Sequence, residues 1–333
     1  MRAESFFRGL ALCTGCMIFG SVVGACEPDF EPSSKLTTLR VLAVRADNPY
    51  PKPGSKVHLE MLWHDGASPA DQPRKNIQIL WIGGCFDPIG DLYYSCYPEL
   101  GKLFGAGGQP SPEALKFIGT GNSFDIDVPA DIVSRRPPRE GVEPYGTLFV
   151  FFAVCAGQIK PTEEVGSSAI PLGCYDENGK ALGADDFVPG YVNLYSYENR
   201  TNQNPIVTGF EIDGKSYPET EPIPDTHLRG CRPDDCPDVN IKPIIDKASA
   251  EIDPGAVNPD GTQLTEMVWV DYYASGGKPA KSARLVNDAT KGWNEDLGVK
   301  YTPPGPGEVA YVYAVVHDNR GGIGWVKRRV VGD

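Results

Sequence analysis

Sulfur is the first chemistry this chain offers. It holds nine cysteines, and Cys85, Cys96, Cys155, Cys174, Cys231 and Cys236 fall into neighbouring couples. Many pairings are formally open. The local one, 85–96, 155–174 and 231–236, is preferred because each bond would close a short excursion between strands. Zinc bound by thiolates would need two closely spaced cysteine knuckles, and only Cys231-Arg-Pro-Asp-Asp-Cys236 comes near one. Four histidines are present, His58, His64, His227 and His317. His58 alternates with apolar residues, His317 ends a strand pattern, and His64-Asp65 reads as a turn. No nucleophile elbow, zincin helix or phosphate-binding loop occurs, so no catalytic group is assigned and the chain reads as a non-enzyme. Asp125 and Asp127 share one strand face, with Asp131 following. These, or Asp253, Asp260 and Asp318, are the acids that could offer oxygen ligands to calcium, although turn capping and solvation are the plainer roles. No other cofactor or metal is expected. Tyr93, Tyr94 and Tyr97 surround Cys96, and Trp269 lies near Tyr272 and Tyr273. Aromatic rings on a β-surface can stack on sugars or anchor a protein partner, and the Tyr93–Tyr97 loop is the candidate contact surface. Elsewhere cross-strand packing is the default.

The start of the chain reads as a targeting segment. Arg2 and Arg8 precede a mostly apolar, glycine-rich run from Leu10 to Ala25, too short for a permanent membrane span and suited to a secretory signal. Cys13 and Cys16 leave with it, so their spacing is not a redox motif. Val23-Gly24-Ala25-Cys26 resembles the lipobox of bacterial lipoproteins. That resemblance implies cleavage of residues 1–25 and lipid on Cys26. Glu27 after the cysteine agrees with sorting to the outer membrane under the enterobacterial rule. An ordinary signal with Cys26 as a bystander is the alternative. Residues 26–36 are polar and proline-bearing, as a flexible tether would be. Six remaining cysteines behind an export signal read as disulfides in an oxidising compartment.

The elements that would position these groups are strands. The chain has 38 glycines and 31 prolines, which favours short strands with punctuated turns. Val57, Leu59, Met61 and Trp63 alternate with polar residues, a period-two signal. Thr147 to Cys155 is apolar throughout, like a strand covered on both faces. Further strands are expected at 39–45, 76–82, 124–129, 191–197, 265–273 and 283–286, and the second module opens at 205–214. A hairpin is expected at 309–331 around Asp318-Asn319-Arg320-Gly321-Gly322. One short helix is expected over Ser111–Gly119, with a cap, a first-turn proline and a terminating glycine. The segment 124–128 followed by 151–155 matches in order 297–301 followed by 312–316, which suggests repeated modules at 37–200 and 204–333.

These features resemble immunoglobulin-like or PKD-like β-sandwiches, and the whole resembles myxobacterial-type surface lipoproteins. The resemblance implies an all-β fold of two tandem immunoglobulin-like domains, the first enlarged by insertions. With a net charge of −13, nucleic acid is not an expected partner. The expected role is a cell-envelope lipoprotein, probing a protein or glycan with its loops or serving structurally, attached to a membrane through its lipid. The rival is an extracytoplasmic enzyme, or enzyme subunit, acting on envelope polymers through carboxylates.

Overall fold

The computed structural model describes residues 32–70, 72, 74, 76–103, 110–162 and 172–333. The expected signal segment and Cys26 lie outside them. The chain first forms β1 (Leu39–Ala46), β2 (Lys56–Asp65), β3 (Gln78–Phe86), β4 (Ile118–Thr120), β5 (Ser123–Asp127) and β6 (Gly146–Cys155). A side hairpin of β7 (Gln158–Pro161) and β8 (Leu172–Tyr175) precedes β9 (Phe187–Ser196). One sheet runs β1-β2-β5 and the facing sheet β4-β3-β6-β9, and every pairing in them is antiparallel. Their inner faces enclose Val57, Leu59, Val150 and Phe152, with Trp81 fully buried. The Trp81 ring stacks near Phe124, centroids 6.1 Å apart. Alternation on β2 sends these aliphatics inward and leaves His58 exposed, as the pleat requires.

The second half repeats the plan with more strands. These are β10 (Val207–Ile212), β11 (Lys215–Pro218), β12 (Asp225–Leu228), β13 (Val239–Ile245), β14 (Ile252–Val257) and β15 (Gln263–Thr265). Next come β16 (Val268–Ala274), β17 (Lys278–Pro279), β18 (Ala283–Asp288), β19 (Gly292–Trp293), β20 (Val299–Thr302), β21 (Val309–Asp318) and β22 (Ile323–Gly332). One sheet runs β11-β10-β13-β20-β17, the other β12-β22-β21-β16-β18-β19. Stripped of short edge strands, β10-β13-β20 over β18-β16-β21-β22 has the same order as β1-β2-β5 over β4-β3-β6-β9. First, second and fifth strands form one layer, and the remaining four form the other. This is the strand division of an immunoglobulin-like sandwich with its fourth strand on the second sheet. The fold is therefore all-β, with two such sandwiches in sequence. The repeat seen in the sequence falls on equivalent strands, β5 with β20 and β6 with β21.

The two sandwiches are not beads on a string. The outer face of β1 and β2 packs on the outer face of β21 and β22: Leu42, Ala43 and Leu62 meet Tyr313, Val315 and Trp325 in one buried cluster. Arg45 lies 4.0 Å over the Trp325 ring while its guanidinium pairs with Glu60 at 2.6 Å. The segment before β1 joins the same contact. Leu36 N donates to Ala274 O at 2.9 Å, and Ala274 N donates to Ser34 O at 2.8 Å. Leu36 is buried, so the end of the expected tether is built into the second sandwich.

Two local expectations change. Residues 111–119 form only a short turn of 3-10 helix at Ala114–Phe117 and then enter β4. An α-helix, α1 (Tyr97–Leu103), stands instead just after Cys96. His64 and Asp65 are not in a turn. Both end β2 and are buried, His64 against Tyr313 of the second sandwich and Asp65 under its bonds from Ser68 and Arg74.

Candidate contact surface

The site is built on the outer face of β3, β6 and β9, by the insertion that follows β3. Asp87, Gly90 and Asp91 all take positive φ there, turning the chain back over the sheet. Asp91 anchors that turn. Its Oδ1 accepts from Arg136 Nη2 at 2.5 Å and Thr147 Oγ1 at 3.0 Å, and its Oδ2 accepts from Tyr145 OH at 2.8 Å. Burial alone would raise the Asp91 pKa, but bonds from Tyr145, Arg136 and Thr147 outweigh it and hold the carboxyl below its ordinary range. Tyr145 shifts upward in return, chiefly because it donates to Asp91. Asp87 closes the other side, accepting from Thr147 N at 2.8 Å and Arg135 Nε at 2.9 Å.

The disulfide Cys85–Cys96 then pins the insertion to the end of β3. Cys96 and Leu100 bury against Ile82, Phe149, Phe151 and Ala153, which would otherwise be an exposed apolar sheet face. Tyr93 stacks on Tyr191 of β9 with centroids 4.6 Å apart and planes at 17°. Tyr94 and Tyr97 meet Tyr93 edge-on at 5.6 and 6.1 Å. Tyr97 continues inward toward Phe151, and burial pushes its hydroxyl pKa up. So of the three candidate tyrosines, Tyr97 belongs mainly to packing, whereas Tyr93 and Tyr94 reach the surface. Tyr94 is 51% exposed, Tyr191 44% and the nearby Ile89 87%. Such a surface offers ring faces and hydroxyls to a sugar or peptide. Tyr191 was not singled out from the sequence. Its signal was there in Tyr191, Asn193 and Tyr195, which alternate with Val192 and Leu194.

The other disulfides join Cys155 to Cys174 and Cys231 to Cys236. The first ties β6 to β8, and the second closes a surface loop after β12.

The remaining titratable candidates hold structure. His58 Nδ1 lies 2.6 Å from Asp125, and Lys56 lies 3.9 Å from Asp127. Asp131 faces Arg135 at 3.9 Å. Asp253 and Asp260 cap their own turns through Gly255 N and Thr262 N. His227 meets Asp333 at 2.8 Å. His317 stacks on Trp269 at 5.2 Å and faces Asp271. Tyr272 is core, and Tyr273 lines the inter-sandwich contact. Among the described residues no three His, Cys, Asp or Glu side chains converge as a metal site would require. His64 Nδ1 lies 2.9 Å from Tyr313 OH, and burial pushes its pKa down to about 4.

Asp318 works at the junction of the halves. Its Oδ1 accepts from Arg320 N at 2.7 Å and Gly322 N at 2.8 Å, while Asn202 Nδ2 reaches Oδ2 at 3.2 Å. Arg320 donates to the buried Glu266, to Glu251 at 3.0 Å and to Thr201 O at 3.2 Å. The turn between β21 and β22 thus grips the connecting segment 201–204. Asn204 completes the grip, donating to Ala46 O at 2.7 Å and accepting from Ile323 N at 2.9 Å.

No protein-family model matches the chain, and no curated protein matches it. Among solved structures it is similar to the N-terminal Ig1-2 module of the Drosophila receptor protein tyrosine phosphatase DLAR. That match has 9% identity and a TM-score of 0.22, over 89% of this chain and 99% of that one. Trypsin-activated alpha-2-macroglobulin from Escherichia coli gives 7% identity and a TM-score of 0.21, over 90% of this chain and 17% of that one. The FN1-FN3 domains of chicken CNTN1 give 9% and 0.19, over 86% of this chain and 66% of that one. The sandwich assignment rests on the strand order rather than on these likenesses.

Proposed function

We propose that this protein is an extracytoplasmic, non-enzymatic binding lipoprotein of the cell envelope. In this reading Cys26 carries the lipid, the outer membrane is its home, and the tyrosine surface over β6 and β9 meets a protein or glycan. The observation that carries the reading is the Tyr93–Tyr191 stack. A disulfide and the Asp91 bonds hold exposed rings at fixed positions, the pre-organisation that recognition surfaces use. Disulfides support an oxidising compartment. The polar cleft at the junction gives less support to the carboxylate-enzyme alternative, because Glu143 and Glu251 there are already paired with Arg200 and Arg320.

The test is capture from detergent-solubilised envelopes by wild-type protein and by the Tyr93→Ala, Tyr94→Ala double variant. Partners retained by wild type and lost by the variant support the reading; equal capture by both overturns the surface assignment. The Cys26→Ala protein is expected to leave the membrane fraction, and its persistence there would count against the anchor.

A further inference from the structure

We infer that the protein pairs with a second copy of itself along the outer edge of β9, with Asn193 at the two-fold axis. This inference is independent of what the tyrosine surface binds.

β9 ends its sheet and, at ten residues, is longer than the other sheet-edge strands among the described residues. Edge strands are normally kept from pairing by brevity, charge, proline or cover. Phe187–Ser196 contains no Lys, Arg, Asp or Glu, and Pro189 near its start is its one proline. That proline also fixes the phase of the ladder. Pro189 has no N–H, so its pair with Ala153 of β6 is a non-hydrogen-bonded one. Alternation then turns the backbone N–H and C=O of Tyr191, Asn193 and Tyr195 away from β6. No hydrogen bond carries these outward groups to any other strand or loop among the described residues. Tyr191 and Tyr195 are 44% and 38% exposed. The Asn193 Oδ1 is shielded and has no partner.

A row of outward backbone groups selects an extended strand as its occupant. The row is also complementary to itself. An antiparallel copy with Asn193 opposite its counterpart sets Tyr191 opposite the copy's Tyr195, and each of these pairs can exchange both backbone bonds. The two Asn193 side chains then lie side by side on one face at the axis. The strand carries no charged side chain, so two chains of net charge −13 can meet there without like charges in direct opposition. The result is one continuous sheet that carries two tyrosine surfaces.

The full-length protein with Asn193→Cys, exported and oxidised in its native envelope, is expected to run as a reducible dimer on a non-reducing gel. Leu285→Cys, at a more exposed position on the second sandwich, is expected to stay monomeric. Asn193→Lys, placing like charges at the axis, is expected to weaken the wild-type dimer by at least about tenfold in sedimentation, with an unchanged far-UV spectrum. A monomeric wild type, equal cross-linking at residues 193 and 285, an undiminished Asn193→Lys dimer, or cross-linking of residue 193 only to a different protein overturns the inference.

Discussion

Glu266 is the group whose replacement by glutamine separates burial from charge pairing most cleanly. Its side chain is fully buried and accepts from Arg320 Nε, while Oε2 accepts from Glu251 N at 3.2 Å. The Arg320 guanidinium bonds two carboxylates there, Glu266 and Glu251, and its charge also acts on Asp318. Burial first, and the Asp318 charge second, push the Glu266 pKa from 4.5 to about 7 against the pull of Arg320. The folded chain therefore holds this proton more tightly than the unfolded chain does. Its contribution to stability is complete below pH about 4.5 and is lost as pH rises through about 7. At about 1.4 kcal/mol per tenfold change in proton affinity, the loss is of order 3 kcal/mol. Glutamine is neutral at every pH and keeps the acceptor for Arg320. It turns one oxygen into an NH₂ facing Glu251 N, at a cost of about 1 kcal/mol. Glu266→Gln should therefore be slightly less stable than wild type at pH 5 and about 1–2 kcal/mol more stable at pH 8. Urea midpoints at the two pH values, with disulfides intact, measure this directly. A variant destabilised equally at both values would refute the reasoning, since Glu266 would then be ionised throughout as the plain partner of Arg320.

Trp325→Ala removes the largest ring of the inter-sandwich cluster and should cost about 3–5 kcal/mol; calorimetry should then show two transitions where wild type shows one. Replacing both Cys85 and Cys96 by alanine should cost about 2–3 kcal/mol and open residues 87–103 to limited proteolysis, whereas protection at the wild-type level would mean that Asp91 alone holds the insertion. Asp65 lies below its ordinary pKa because bonds from Arg74 and Ser68 outweigh its burial. Its stabilisation is present above the ordinary carboxylate range and is lost as pH falls, so Asp65→Asn should flatten the acid limb of a pH–stability curve.

The sequence was most readable where one face of a strand decides everything. Val57, Leu59 and Met61 showed β2 by period two, and the unbroken apolar run of β6 announced cover on both sides. The helix expected over Ser111–Gly119 failed for a tertiary reason. Ser111 does cap Ala114 N, but Leu115 finds nothing to bury against, and Ile118–Thr120 pairs with Leu80–Ile82 instead. A ladder on a formed sheet outweighs a lone helical turn. The stacking of the sandwiches was hinted at by Leu42-Ala43-Val44, buried consecutively because a bulge in β1 shifts the register. Nothing local could say which surface covers them. His64 was misread for the same reason. The tyrosine surface was half legible: Tyr93 and Tyr94 stood out by clustering, whereas Tyr191 comes from nearly a hundred residues downstream and joins them only through β9.

The bonds of Ser34 and Leu36 to Ala274 give the molecule a particular mechanical path. Tension arriving along the polypeptide from ahead of residue 34 meets β16, deep in the later half, before it meets β1. Chain that precedes one sandwich is thus stapled to the other, so load applied there enters the later half without first crossing the link between the two.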